Sequence, residues 1–158
     1  MIPIESIRTE QSHDPLGRPA LAKTAEEFLL SHDWCKSIRR GFLANAWEGI
    51  LGVFYFEIEP GTPEVDDELW VIVGDLPPAY LVVEDEPVTK DALEAYVYEM
   101  KRWVDAVMSD ESVADLIPVY YQSSGKIVPP TKEFAAALKK RLEFIENSIL
   151  PSCGAPGS

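Results

Sequence analysis

Few residues in this chain combine a reactive type with a spacing that chemistry could use. His13 and His32 are the two histidines, and neither sits in a G-x-S-x-G or comparable nucleophile context. His32 and Cys35 are three apart, which would place them on one helix face as a Cys–His dyad or half a metal site. The plainer alternative is a core thiol beside an exposed histidine. Ser123-Ser124-Gly125-Lys126 fits S-x-x-K, but the S-D-N and K-T-G partners of serine acyl enzymes are absent. Its Gly-Lys pair also lacks the leading glycine of a phosphate-binding loop, so a flexible loop is the reading that fits. No C-x-x-C or H-E-x-x-H occurs. The expectation is no catalytic residue, no metal ligand and no cofactor.

What the chain has in quantity is carboxylate. Its net charge is −13, from 14 Lys and Arg against 27 Asp and Glu, and the excess is unevenly placed. Gly41 to Thr89 holds no Lys or Arg and 11 acids: Glu48, Glu57, Glu59, Glu64, Asp66, Asp67, Glu68, Asp75, Glu84, Asp85 and Glu86. Such a field repels nucleic-acid phosphates and anionic lipid, and it attracts basic partners or cations. The run Glu64, Asp66, Asp67, Glu68 is dense but lacks the D-x-[DN]-x-[DN]-G spacing, the turn glycine and the distal Glu of a calcium loop. Asp75, in Gly-Asp-Leu-Pro-Pro, reads as an Asx turn accepting backbone N–H groups. Two uses of the acids remain open: a solvated edge that keeps the protein soluble, or a docking face for a basic protein. Among the aromatics, Trp70 and Trp103 fall on core faces. Trp47 beside Glu48 and the pair Tyr120-Tyr121 are placed by no periodicity, and aromatics beside acids suit recognition of Lys or Arg.

The elements that must position these residues can be read from pattern. Residues 1–19, with Pro3, Pro15, Gly17 and Pro19, read as an N-terminal arm without helix. Residues 20–150 read as one α+β domain, and 151–158 as a disordered tail. Thr24 with Glu27 three residues on forms a capping box opening a first helix, with Phe28, Leu29, Leu30, Trp34 and Cys35 on its buried side and Gly41 as its stop. A strand follows from about Ile38 to Ala46. In Ile50–Glu59 the alternation puts Ile50, Phe54, Phe56 and Ile58 on one face and Leu51, Val53 and Tyr55 on the other. Leu69–Val73 is apolar on both faces, which predicts a central strand covered on both sides; Tyr80–Val83 is the next strand. The connections are too short for helical crossovers, so an antiparallel meander of about four strands is expected. Leu93, Tyr96, Val97, Met100, Trp103, Val104 and Val107 form the stripe of a helix from Thr89 to about Met108. Thr131 caps a last helix with Phe134, Leu138, Leu142, Ile145 and Ile149 inward, and Pro151 stops it. The order is α-β-β-β-β-α-α, an α+β fold with helices packed on the sheet.

Around Leu69-Trp70-Val71-Ile72-Val73-Gly74-Asp75-Leu76-Pro77-Pro78-Ala79-Tyr80, with Tyr96, Met100-Lys101-Arg102-Trp103-Val104 and Ile117-Pro118-Val119, the sequence resembles a bacterial family of small acidic proteins, a domain of unknown function. The resemblance implies an α+β fold over about residues 25–150 and brings no site residues. In size and charge the chain is also similar to immunity proteins of toxin systems, which is a likeness of character and not of motif.

The functional expectation is a non-catalytic binding domain whose acidic sheet region docks a basic protein. Glu64, Asp66, Asp67, Glu68, Asp75, Glu84, Asp85 and Glu86 would carry the contact, with Trp47 as an anchor. The alternative is a small-molecule or metal-dependent enzyme with acids converging in a cleft. No nucleic-acid or membrane partner is expected, a homodimer is compatible with the sequence, and the expected location is cytoplasmic.

Overall fold

This computed structural model describes residues 1–82, 89–121 and 126–153 of the chain. Among these residues five strands make one open antiparallel sheet in the order β1-β2-β3-β4-β5: Ile2–Pro3, Cys35–Trp47, Leu51–Pro60, Glu68–Gly74 and Leu76–Leu81. The meander is the expected one, with one more strand. The added β1 pairs with β2 at Phe42 and Leu43 alone.

Both faces of this sheet are covered, because β3 and β4 are apolar on both. One face carries Phe54, Phe56, Ile58, Leu69, Val71 and Val73 against α1 (Ile4–Arg8) and α2 (Arg18–Leu30). The other carries Leu51, Val53, Trp70 and Ile72 against α3 (Thr89–Met108) and α4 (Lys132–Phe144). All seven residues of the expected α3 stripe are buried. On α4, Leu138 and Leu142 are buried and Phe134 is half-buried. The cap is as expected, with the Thr131 hydroxyl accepting from the Phe134 N–H at 3.2 Å.

The N-terminal third departs from the sequence reading. The segment expected as an arm without helix contains α1, whose Ile4 and Ile7 are buried in the core. Helix α2 begins at Arg18, not at Thr24. Pro19 lies in its first turn, where a missing N–H costs nothing, and Gly17 is its N-cap. Thr24 is therefore interior, its hydroxyl donating to the Ala20 carbonyl at 3.0 Å. The helix ends at Leu30, which is exposed, and Cys35 already belongs to β2. Gly41 stops no helix. It is a strand residue whose absent Cβ admits the Ile4 Cδ1 methyl, which would lie 2.6 Å from it.

At the other end, α4 runs on through a π-helical turn, Ile145–Ile149, into a last turn, Leu150–Cys153. The Leu150 N–H reaches the Ile145 carbonyl, five residues back, immediately before Pro151. Widening the helix there accommodates the proline, so Pro151 does not end it.

Two contacts lock the sheet to its surroundings. Gly74 joins β4 to β5 at φ +146°, and a Cβ there would lie 2.3 Å from the Ile50 carbonyl oxygen. Gly74→Ala should lower the unfolding free energy by about 2 kcal/mol or more, read by urea denaturation. Tyr96, fully buried on α3, donates its hydroxyl to the Pro77 carbonyl of β5 at 2.7 Å, and burial pushes its ionisation far above the ordinary tyrosine range. The folded state holds this proton more tightly than the unfolded chain does. Its contribution is therefore complete below about pH 10, the unfolded value, and is lost as pH rises beyond it. Tyr96→Phe should cost about 1–3 kcal/mol at pH 8 and reduce the loss of stability above pH 10, measured by urea unfolding across that range.

Candidate functional site

Successive turns of a meander lie at opposite ends of its sheet, and this divides the acids singled out by sequence. Glu64, Asp66 and Asp67 sit on the loop between β3 and β4, with Glu68 opening β4. Asp75 sits on the β4–β5 turn, and Trp47 ends β2 beside Leu51. Six strand steps separate Glu68 from Gly74, about 20 Å. Asp75 and Trp47 are thus not part of the acidic loop's surface. Glu84, Asp85 and Glu86 lie outside the described residues.

The acidic loop is tied down at both ends. The Gly61 N–H donates to the Trp34 carbonyl at 2.7 Å and the Ile58 N–H to the Asp67 carbonyl at 2.8 Å, while Val65 packs into the α2-side core. Glu64, Asp66, Asp67 and Glu68 are all exposed. Among the described residues none of these four forms a salt bridge.

Beside the loop, Glu57 and Glu68 stand directly opposite across β3 and β4, a like-charge pairing that costs stability unless it is relieved. Arg40, opposite Glu57 on β2, relieves it with a two-pronged contact, Nε to Oε2 and Nη2 to Oε1. Arg39, Arg40, Glu57, Asp67 and Glu68 line a shallow depression of about 250 Å³. Tyr55 lies next in the same row, its ring 5.6 Å from that of Trp70. Partial burial and then the negative charge of Glu68 push the Tyr55 hydroxyl up to about 12. Further along, Glu59 is held below the usual carboxylate range, first by the Ser37 hydroxyl at 3.0 Å and then by the Lys36 charge. Strand β2 thus supplies the cations for the strand acids, and the loop acids are left over.

The other sequence candidates resolve differently. Trp47 is half-buried against the α3-side core and serves packing. Among the described residues the Asp75 side chain accepts no backbone N–H, so the expected Asx turn is absent there, and its Oδ1 lies 3.5 Å from Arg141 Nη2. Its own N–H donates to the Ile50 carbonyl, and its carbonyl accepts from Arg141 Nε at 2.8 Å. His32 and Cys35 do not share a helix face. His32 Nδ1 lies 2.8 Å from the Phe28 carbonyl and its ring is enclosed by Phe28, Trp34, Tyr80 and Tyr120. The Cys35 thiol is buried 3.9 Å from the Ser37 carbonyl, and burial raises its ionisation, which disfavours the nucleophilic thiolate. Among the described residues no three His, Cys, Asp or Glu side chains are grouped to hold a metal ion. Ser123, Ser124 and Gly125 lie outside the described residues; Lys126 is exposed.

Sequence reasoning did not single out Arg40, Tyr55 or Arg141. Arg141 had a signal, since it falls three after Leu138 and four before Ile145, at the margin of the buried stripe. No known protein family, curated protein or solved structure matches this chain. Among the described residues no helix is long and apolar enough to cross a membrane.

The acidic end makes one direct prediction. Glu68→Gln should bring the Tyr55 ionisation down from about 12 while leaving part of the elevation, which burial supplies. Tyrosinate absorbance against pH, with Tyr55→Phe to assign the transition, reads this.

Proposed function

We propose that this protein is a non-catalytic binding domain that docks a basic protein on the β3–β4 end of its sheet. The observation that carries the reading is the anchored loop with exposed Glu64, Asp66, Asp67 and Glu68, none of them ion-paired among the described residues. An anchored loop loses little backbone freedom on binding, and the field of its carboxylates speeds encounter with a cationic partner. Arg40 and Lys36 neutralise the strand acids Glu57 and Glu59, so the unbalanced charge is concentrated on the loop. Blocking of a toxin in the manner of immunity proteins is one form such docking would take. The sequence adds Glu84, Asp85 and Glu86 to the acids available to a partner.

The test compares wild type with a Glu64→Lys, Asp66→Lys, Asp67→Lys variant, each immobilised and exposed to its own cell lysate at low and high salt. Wild type is expected to retain a basic protein at low salt and release it at high salt, and the variant to retain about tenfold less. Equal recovery of the same protein by both would overturn the reading. The loop is exposed, so the variant should unfold at nearly the wild-type temperature, which circular dichroism checks.

A further inference from the structure

In a chain of such negative charge, one depression is rimmed by cations. It lies at the opposite end of the sheet from the acidic loop, where the β2–β3 and β4–β5 turns meet α4. Its volume is about 320 Å³, near the lower end of the range for small-molecule sites. Ile50, Leu76, Phe144 and Ile145 give it an apolar lining, and Lys140 and Arg141 line it beside them. The α4 residues are spaced for this, since Lys140 and Phe144, and Arg141 and Ile145, are each one helical turn apart. Among the described residues Asp75 is the one carboxylate in the lining, against Lys140 and Arg141, so this lining is net positive.

Arg141 is already held in place. Its Nε donates to the Asp75 carbonyl at 2.8 Å, Nη1 lies 3.5 Å from the Ala137 carbonyl, and Nη2 lies 3.5 Å from Asp75 Oδ1. The short bond uses the single Nε–H, and the two Nη groups keep four N–H donors with only long contacts. A guanidinium so anchored meets a carboxylate without first losing its freedom. Lys140, exposed beside it, forms no ion pair among the described residues. Phe144 is 45% exposed, an aromatic residue left open beside two cations.

We propose that this depression binds a small organic acid. Its carboxylate is taken by Lys140 Nζ and the Arg141 Nη groups, and its hydrocarbon body lies on Ile50, Leu76 and Phe144. The site is distinct from the acidic loop in place and in sign of charge, and it stands or falls independently of the docking reading.

The test titrates the isotope-labelled full chain with 4-phenylbutyrate and, separately, with the neutral 4-phenylbutyramide, following backbone amide shifts by NMR. The expected result is saturable shifts at Gly49–Leu51, Asp75, Leu76 and Lys140–Ile145, with the amide about tenfold weaker. Arg141→Gln and Lys140→Gln should each weaken the acid by about three- to tenfold and leave the amide unchanged. Arg141→Gln also removes the bond to Asp75, so Lys140→Gln, at an exposed position, keeps the test clear of misfolding. Absence of saturable shifts, shifts centred elsewhere, equal binding of acid and amide, or indifference to Lys140→Gln would each overturn the proposal.

Discussion

The structure depends on one constraint: β3 and β4 are apolar on both faces, so neither face of the sheet can meet water. Phe54, Phe56 and Val71 require one helical layer; Leu51, Val53 and Ile72 require another. Burying a single Leu, Ile or Phe is worth about 1.5–3 kcal/mol, and each face holds several. The chain meets the demand with α1 and α2 ahead of the long strands and α3 and α4 after them. The N-terminal segment is therefore structural, since Ile4 and Ile7 complete the first of these layers.

That arrangement also dictates where polar chemistry can occur. Among the described residues the buried groups that can ionise are the Tyr96 hydroxyl and the Cys35 thiol, and burial holds both in the neutral form. Charge is confined to turns, strand ends and helix exteriors. The two ends of the sheet differ as a result. One presents loop carboxylates in excess of their cations, and the other presents Arg141 and Lys140 over an apolar hollow. Strand β2, with Lys36, Arg39 and Arg40 and no acid of its own, balances the first end only along the strands.

Periodicity made the sheet and α3 legible. Alternation in Ile50–Glu59 and the unbroken apolar run Leu69–Val73 named the two central strands, and the 3.6-residue stripe named α3 to within its ends. The start of α2 was not legible, because Gly17 and Pro19 have loop character in sequence yet serve as N-cap and first-turn residue. Nor was α1, whose five residues are too short for a period to emerge. The acids were legible as a set but not as a place. In a meander, consecutive turns must lie at opposite ends, so the separation of Asp75 from Glu64–Glu68 was implicit in the topology itself. Arg141 was hidden for a different reason: its partner is a main-chain carbonyl 66 residues away, and no side-chain pattern encodes that.

Strand β2 has 13 residues, while its outer neighbour β1 covers it at only two. Among the described residues much of its outer edge therefore has no strand paired to it, the kind of row on which further chains add. Three irregularities in its register with β3 bend that row out of line, and Lys36, Arg39 and Arg40 are set along it. A second copy approaching edge to edge would find no straight template to zip onto. The feature that leaves the sheet open is thus coupled to one that keeps it from growing into a fibre.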